Sequence, residues 1–157
     1  MRAMAIEIPE GFKARRFGEG FVSVNGPLYV RRPEGGGFQL GFRVEKRHCN
    51  PMGICHGGMM ATFCDMLLPL SAHVLSDVGK RFLPTINLQI DYLAASPLGA
   101  WVQGEAQVLR MTRSLVFMQG LVHADGTLVA RVSGIFKMGP PFDDSLDRIP
   151  PPREPEP

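Results

Sequence analysis

His56-Gly57-Gly58-Met59-Met60-Ala61-Thr62-Phe63-Cys64-Asp65-Met66-Leu67-Leu68 is the stretch on which the whole architecture turns. A helix through these residues is apolar on nearly every side, so it belongs in a core and needs other elements around it. The exception is Asp65, whose ionised carboxylate would cost several kcal/mol to desolvate unless it is partnered or used. The apolar run continues to Leu75, interrupted by Asp65, Pro69 and His73 and flanked by strand-like segments. That pattern suits a core helix rather than a membrane span, no lipid anchor is evident, and no membrane role is expected.

Working outward, Phe38, Leu40, Phe42 and Val44 alternate with Gln39, Gly41, Arg43 and Glu45 ahead of the helix, the period of a half-buried strand. Beyond it, Thr85 to Leu93 alternates most cleanly: Ile86, Leu88, Ile90 and Tyr92 point one way, predicting a packed face, and Thr85, Asn87, Gln89 and Asp91 point the other. Trp101 to Leu109, Ser114 to Ala124 and Thr127 to Lys137 are rich in Val, Leu and Phe, and Asp125-Gly126 predicts a tight hairpin between the last two. Phe21 to Val30 reads as strand-like pieces about Asn25-Gly26-Pro27, and residues 1–19 show weak helical character at best.

The order is strand, long helix, then a run of antiparallel strands, without the repeated helices that a parallel sheet requires. The expected fold class is α+β, a curved antiparallel sheet wrapped around one long central helix. Such a sheet covers the helix on one side only and leaves edges open, so dimerisation is expected. At 157 residues and 45% hydrophobic, the chain is expected to form one domain over residues 1–139. Residues 140–157 hold seven prolines and several charges, and a disordered tail that builds no ladders is expected there.

Charge and cysteine usage narrow the function. Lys and Arg total 17 against 15 Asp and Glu, which leaves no global field for nucleic acid. Cys49, Cys55 and Cys64 are an odd number without framework spacing, and Met1 to Pro9 lacks a long apolar leader core, so reduced thiols in a cytoplasmic protein are expected. His48, Cys49, Cys55 and His56 do not match a usual structural zinc spacing, and no metal or cofactor is expected. Ser71 and His73 read as ordinary helix positions, because neither lies in a nucleophile elbow.

Chemistry concentrates in Asn50-Pro51-Met52-Gly53-Ile54-Cys55-His56-Gly57-Gly58, a tight loop turned by Pro51 and Gly53 that feeds the helix. The first N–H groups of a helix have no intrahelical partner and sit at the positive end of its dipole. Gly57 and Gly58 therefore offer donors to a carbonyl oxygen that becomes negative, and without side chains they admit close approach. His56 orients the loop or donates, Asn50 offers an amide to hold a water or carbonyl, and Asp65 supplies base or nucleophile. Together these are a minimum kit for acyl transfer to water.

Asn50, Gly53, His56-Gly57-Gly58 and Asp65 at these spacings closely resemble the hotdog-fold acyl-CoA thioesterases of the phenylacetate-pathway type, over roughly residues 21–138. The resemblance implies a five- or six-stranded sheet around the helix, a homodimer with a continuous sheet, often a homotetramer, and active sites between protomers. It implies that the Gly57 N–H polarises the thioester carbonyl while Asp65 of the other protomer acts as nucleophile or activates water. By the same resemblance Asn50 positions water or thioester, His56 holds the loop, and Gly58 and Thr85 support. An acyl-CoA with an aryl or medium-chain acyl group is the implied substrate, its phosphates meeting basic residues, with Arg110 and Arg113 as candidates. Two rivals stand beside this reading: a non-catalytic acyl-CoA binder on the same fold, and a hotdog dehydratase or hydratase using His56 with Asp65.

Overall fold

The computed structural model describes residues 7–142. Its elements are β1 (Lys13–Arg15), α1 (Phe21–Asn25), β2 (Leu28–Arg31), β3 (Gln39–Arg43), a 3-10 turn at Lys46–His48, α2 (Gly57–Leu75), β4 (Thr85–Tyr92), β5 (Trp101–Met111), β6 (Leu115–Ala124) and β7 (Thr127–Lys137). All seven strands form one antiparallel sheet in the order β1-β2-β3-β5-β6-β7-β4. The expected α+β hotdog architecture is present, with seven strands where five or six were implied.

Alternation along β5, β6 and β7 places Val102, Val116, Met118, Val122, Val132 and Phe136 inside, where they pack with Phe63, Leu67 and Leu68 of α2. Removing side chains this size from water stabilises by roughly 1.5–3 kcal/mol each. Glycine sets how close helix and sheet come. A Cβ on Gly104 would lie 2.5 Å from Leu67 Cδ2, and one on Gly134 would lie 2.7 Å from Leu68 Cδ1. By length and composition α2 could cross a bilayer. Here Phe63, Cys64, Leu67 and Leu68 are instead fully buried beneath the sheet, as in a core helix.

The hairpin between β6 and β7 forms as expected: Asp125 and Gly126 both have positive φ, 46° and 84°, as a two-residue turn matched to strand twist requires. Elsewhere the expectations need correcting. Phe21–Asn25 is a short helix rather than a strand piece, and Leu28–Arg31 alone pairs into the sheet. Within residues 7–19 the regular element is the strand Lys13–Arg15 and not a helix. The alternating face of β4 is packed in part: Leu88 and Ile90 pack against the core, but β4 is an edge strand and Ile86, 56% exposed, and Tyr92, 55% exposed, stay open. Pro140–Phe142 run beside Lys80–Phe82, with Phe82 N–H donating to the Pro140 carbonyl and Phe142 N–H to the Lys80 carbonyl, both at 2.9 Å. Pro141 thus bridges Arg81, where no ladder was expected. The rest of the expected tail lies outside the described residues.

The buried His48 joins the front of the sheet to the loop ahead of α2. Its Nδ1 accepts the Glu45 N–H at 3.0 Å, its Nε2 meets the Asn25 carbonyl at 2.8 Å, and its ring stands edge-on to Phe42. Accepting at Nδ1 fixes the neutral tautomer with the proton on Nε2. Burial, ahead of the nearby Arg47 charge, holds the His48 pKa below its ordinary 6.5. The unfolded chain therefore binds this proton more readily than the folded one, so stability falls as pH drops from 6.5 toward the lowered value. Denaturant titrations between pH 7.5 and 5 should show this loss, and His48→Gln should flatten it. An unchanged slope in that variant would assign the acid sensitivity elsewhere.

Candidate active site

The loop into α2 is built on Asn50. Asn50 Oδ1 accepts the Met52 N–H at 3.0 Å, the Asn50 carbonyl accepts the Gly53 N–H at 3.0 Å, and the Asn50 N–H donates to the Ile54 carbonyl at 2.9 Å. Pro51 presets the first corner and Gly53, at φ 73°, takes a conformation other residues rarely adopt. Among the described residues Asn50 Nδ2 has no partner, so the amide keeps a donor while its oxygen holds the turn.

His56 is the N-cap of α2, extended at φ −62° and ψ 138°, and its Nδ1 accepts the Gly58 N–H at 2.8 Å. This refines the expectation of two glycine donors. The Gly58 N–H is spent on the cap, and the Gly57 N–H, at the first helical position, is left without an acceptor among the described residues. Tyr92 fixes that end of the helix from β4 by donating its hydroxyl proton to the Gly57 carbonyl at 2.7 Å. Burial raises the Tyr92 pKa above its ordinary value, with Cys64 and Cys55 adding to it, so the phenol stays a donor at neutral pH.

Asp65 is half-buried rather than buried, since the sheet covers the Phe63, Cys64, Leu67 and Leu68 side of α2 and leaves the Asp65 side partly open. Thr85 Oγ1 donates to Asp65 Oδ1 at 2.5 Å. Strict alternation would point Thr85 away from the face that carries Leu88, Ile90 and Tyr92. The register shift between Thr85 and Asn87, where β4 pairs with β7, re-aims it at the helix. Pro69, inside α2, removes the N–H that would otherwise bond the Asp65 carbonyl four residues earlier, so the ladder is broken at the acid.

One chain holds these groups in two separate clusters. The loop, His56 and Gly57 form the first; Asp65 and Thr85 form the second. Gly57 and Asp65 are eight residues apart on one helix, about 12 Å at ~1.5 Å per residue. Arg110 and Arg113 belong to neither: both are exposed, at the end of β5 and in the turn before β6.

Other nucleophiles and ligands near the loop are accounted for. Burial, ahead of the nearby Cys49, pushes the Cys55 thiol up to about 11. Burial, ahead of Asp65 and Cys55, pushes Cys64 up to about 12. Both are therefore inert thiols at neutral pH. Ser71 Oγ donates to the Leu67 carbonyl at 2.7 Å and His73 Nε2 meets the Arg81 carbonyl at 2.7 Å, so they form no dyad. Among the described residues no three His, Cys, Asp or Glu side chains converge as metal ligands.

A cavity of about 340 Å³ opens beside Gly57, lined by Asn50, Cys55, Met60, Tyr92, Leu93 and Ser96 among others. Two of these escape sequence reasoning. Tyr92 shows only as the last residue of the alternating face, and Ser96 carries no local signal at all.

The family follows from comparison with known proteins. Residues 52–130 match the thioesterase superfamily, and the chain belongs to that family. It is 26% identical over 117 residues to human acyl-coenzyme A thioesterase 13, covering 74% of this chain and 82% of that one. The crystal structure of zebra fish thioesterase superfamily member 2 superposes with a TM-score of 0.69 at 28% identity, over 78% of this chain and 89% of that one. The phenylacetic acid degradation protein PaaI of Thermus thermophilus shares the fold, with a TM-score of 0.62 at 21% identity over 74% and 96% of the two chains. The protein is thus a hotdog thioesterase, a hydrolase of thioester bonds, and the family hit includes Gly53, His56, Gly57, Gly58 and Asp65 within its span.

Proposed function

We propose that this protein hydrolyses an acyl-CoA thioester to a free acid and CoA, at sites made by pairing two copies of the chain. One observation carries the reading: the unpartnered Gly57 N–H and the Thr85-held Asp65 carboxylate sit on one helix, too far apart to act on one carbonyl. Reacting atoms must approach to about 3–3.5 Å. A second copy, antiparallel to the first, supplies the missing half. The edge strand β4, with Ile86, Tyr92 and Leu93 exposed, is the surface along which the copies pair.

In this arrangement the Gly57 N–H and the positive end of α2 draw charge onto the carbonyl oxygen. Asp65 of the other copy takes a proton from water as it adds to the carbonyl carbon; the C–S bond then breaks and CoA leaves as thiolate, to be protonated. As nucleophile, Asp65 would instead form a mixed anhydride as CoA departs, and water would cleave it. Asn50 Nδ2 holds water or thioester, and Arg110 and Arg113 meet the CoA phosphates. Three free thiols fit a reducing cytoplasm, and pairing of dimers into a tetramer would cover further sheet surface.

Thiol release from a panel of aryl and medium-chain acyl-CoA esters tests the reading. Saturable CoA-ester binding without thiol release would favour the non-catalytic binder. Thr85 is a positioning residue, so Thr85→Val should lower kcat about tenfold by removing a charge-assisted hydrogen bond, while Thr85→Ser should restore it. Equal loss in both variants would reduce Thr85 to a packing role.

A further inference from the structure

We propose that Cys49 and Cys55 are a redox-sensitive pair, which a low-molecular-weight disulfide such as oxidised glutathione closes into a disulfide that slows turnover. The bond itself stands apart from the thioesterase reading; its effect on turnover rests on that reading.

Cys49 and Cys55 face each other as an isolated antiparallel bridge across the loop that enters α2. The backbone bonds on either side define the kind of pair. Asn50 N–H donates to the Ile54 carbonyl at 2.9 Å and His56 N–H to the His48 carbonyl at 2.8 Å, while Cys49 and Cys55 exchange none. A non-hydrogen-bonded antiparallel pair brings its Cα atoms to about 4.5 Å, with both side chains on one side. Disulfides span Cα separations of about 4.4–6.8 Å, so this backbone is already within reach. Neither thiol has a strong partner. Cys49 Sγ donates to the Glu45 carbonyl at 3.4 Å and Cys55 Sγ to the His56 carbonyl at 3.7 Å, weak bonds that a side-chain rotation releases. Both are half-buried, whereas the third thiol, Cys64, is fully buried in α2.

Exchange begins at Cys49, because burial keeps Cys55 protonated at neutral pH. The Cys49 thiolate attacks one sulfur of oxidised glutathione and expels a glutathione thiolate, leaving a mixed disulfide. Cys55 then gives up its proton to solvent, attacks the Cys49 sulfur and expels the second glutathione. Two protein thiols are oxidised, and one small disulfide is reduced to two thiols. Cys55 is slow toward reagents from solution, but here the sulfur it attacks is held beside it.

Placement gives the bond its consequence. Cys49 precedes Asn50, which builds the turn, and Cys55 precedes His56, which caps α2 next to the Gly57 donor. Opposed Cβ atoms of a strand pair lie about 4.5–5.5 Å apart, and a disulfide holds them at about 3.8 Å. Closure therefore draws the arms of the loop together and shifts Asn50 and Gly57, and a misplacement of about 1 Å can cost about a hundredfold in rate.

The test exposes the protein to glutathione buffers of rising oxidised fraction, alkylates the remaining thiols and cleaves after methionine with cyanogen bromide. Met52, Met59, Met60 and Met66 put Cys49, Cys55 and Cys64 on separate fragments, 5–52, 53–59 and 61–66. A single chain lighter by two hydrogens, with fragments 5–52 and 53–59 linked, is the expected product. Its kcat on acyl-CoA esters, read as loss of thioester absorbance after glutathione is removed, should fall about tenfold or more and return with dithiothreitol. Cys49→Ser should keep its turnover through the same treatment. Linkage to fragment 61–66 or between two chains, no linked product, or an unchanged kcat in the closed form would overturn the inference. So would an oxidative loss of turnover that persists in Cys49→Ser. If no ester turns over before oxidation, the thioesterase reading falls and the rate effect with it, while the fragment masses still decide the bond.

Discussion

Asp65→Asn should lower kcat by about a thousandfold with KM little changed, the size of effect expected when a general base or nucleophile is lost. The amide keeps the volume and an oxygen for the Thr85 hydroxyl, now 2.5 Å from the acid, so stability should stay within about 0.5 kcal/mol of the parent protein. Steady-state thiol release, read beside a denaturant melt, separates the two quantities. Turnover within a few-fold of the parent would remove Asp65 from the chemistry.

Gly57→Pro should cost about a hundred- to a thousandfold in kcat, the usual penalty for losing one oxyanion donor. Proline is normally a drastic replacement in a helix, but here the local structure accepts it. Gly57 is the first helical residue, where an N–H has no intrahelical role, and His56 already holds the extended conformation that a residue before proline needs. A Cβ at this position meets the Tyr92 ring and hydroxyl at 3.5–3.6 Å, ordinary contact distance. Gly57→Ala adds the same carbon but keeps the N–H, so it should retain most activity. Equal losses in the two variants would point to crowding rather than to the missing donor.

These variants together test the assembly. Each alone is inactive at both sites of a dimer, but a mixed dimer of an Asp65→Asn chain with a Gly57→Pro chain contains one intact site. Random exchange makes half the dimers mixed, so mixing should recover about a quarter of the parent activity. If both groups served a site within one chain, mixing would recover nothing.

Much of this organisation is legible in local sequence. Helix α2 and its start at Gly57 follow from the apolar run and the glycine pair, and the Asp125-Gly126 turn follows from backbone preference alone. The loop chemistry of Asn50, Pro51 and Gly53 is equally local, which is why its residues could be named in advance. Phe21–Asn25 misled because five residues of mixed character carry no period long enough to separate helix from strand. The β4 face was legible in part: alternation records which residues share a side but not how far that side is covered, and Leu88 and Ile90 pack on the core while Ile86 and Tyr92 stay open.

What the order of residues determined by itself is the long helix, the strands from Gln39 to Lys137 and the candidate groups at the loop and on the helix, because periodicity, turn chemistry and helix-end donors are properties of neighbours in the chain. Only the tertiary structure decided which groups are available. His56 consumes the Gly58 donor, a shift in strand register turns Thr85 onto Asp65, and Tyr92 anchors the helix tip. Those outcomes depend on contacts between residues far apart in sequence, whose geometry is set by how sheet and helix pack rather than by any local preference.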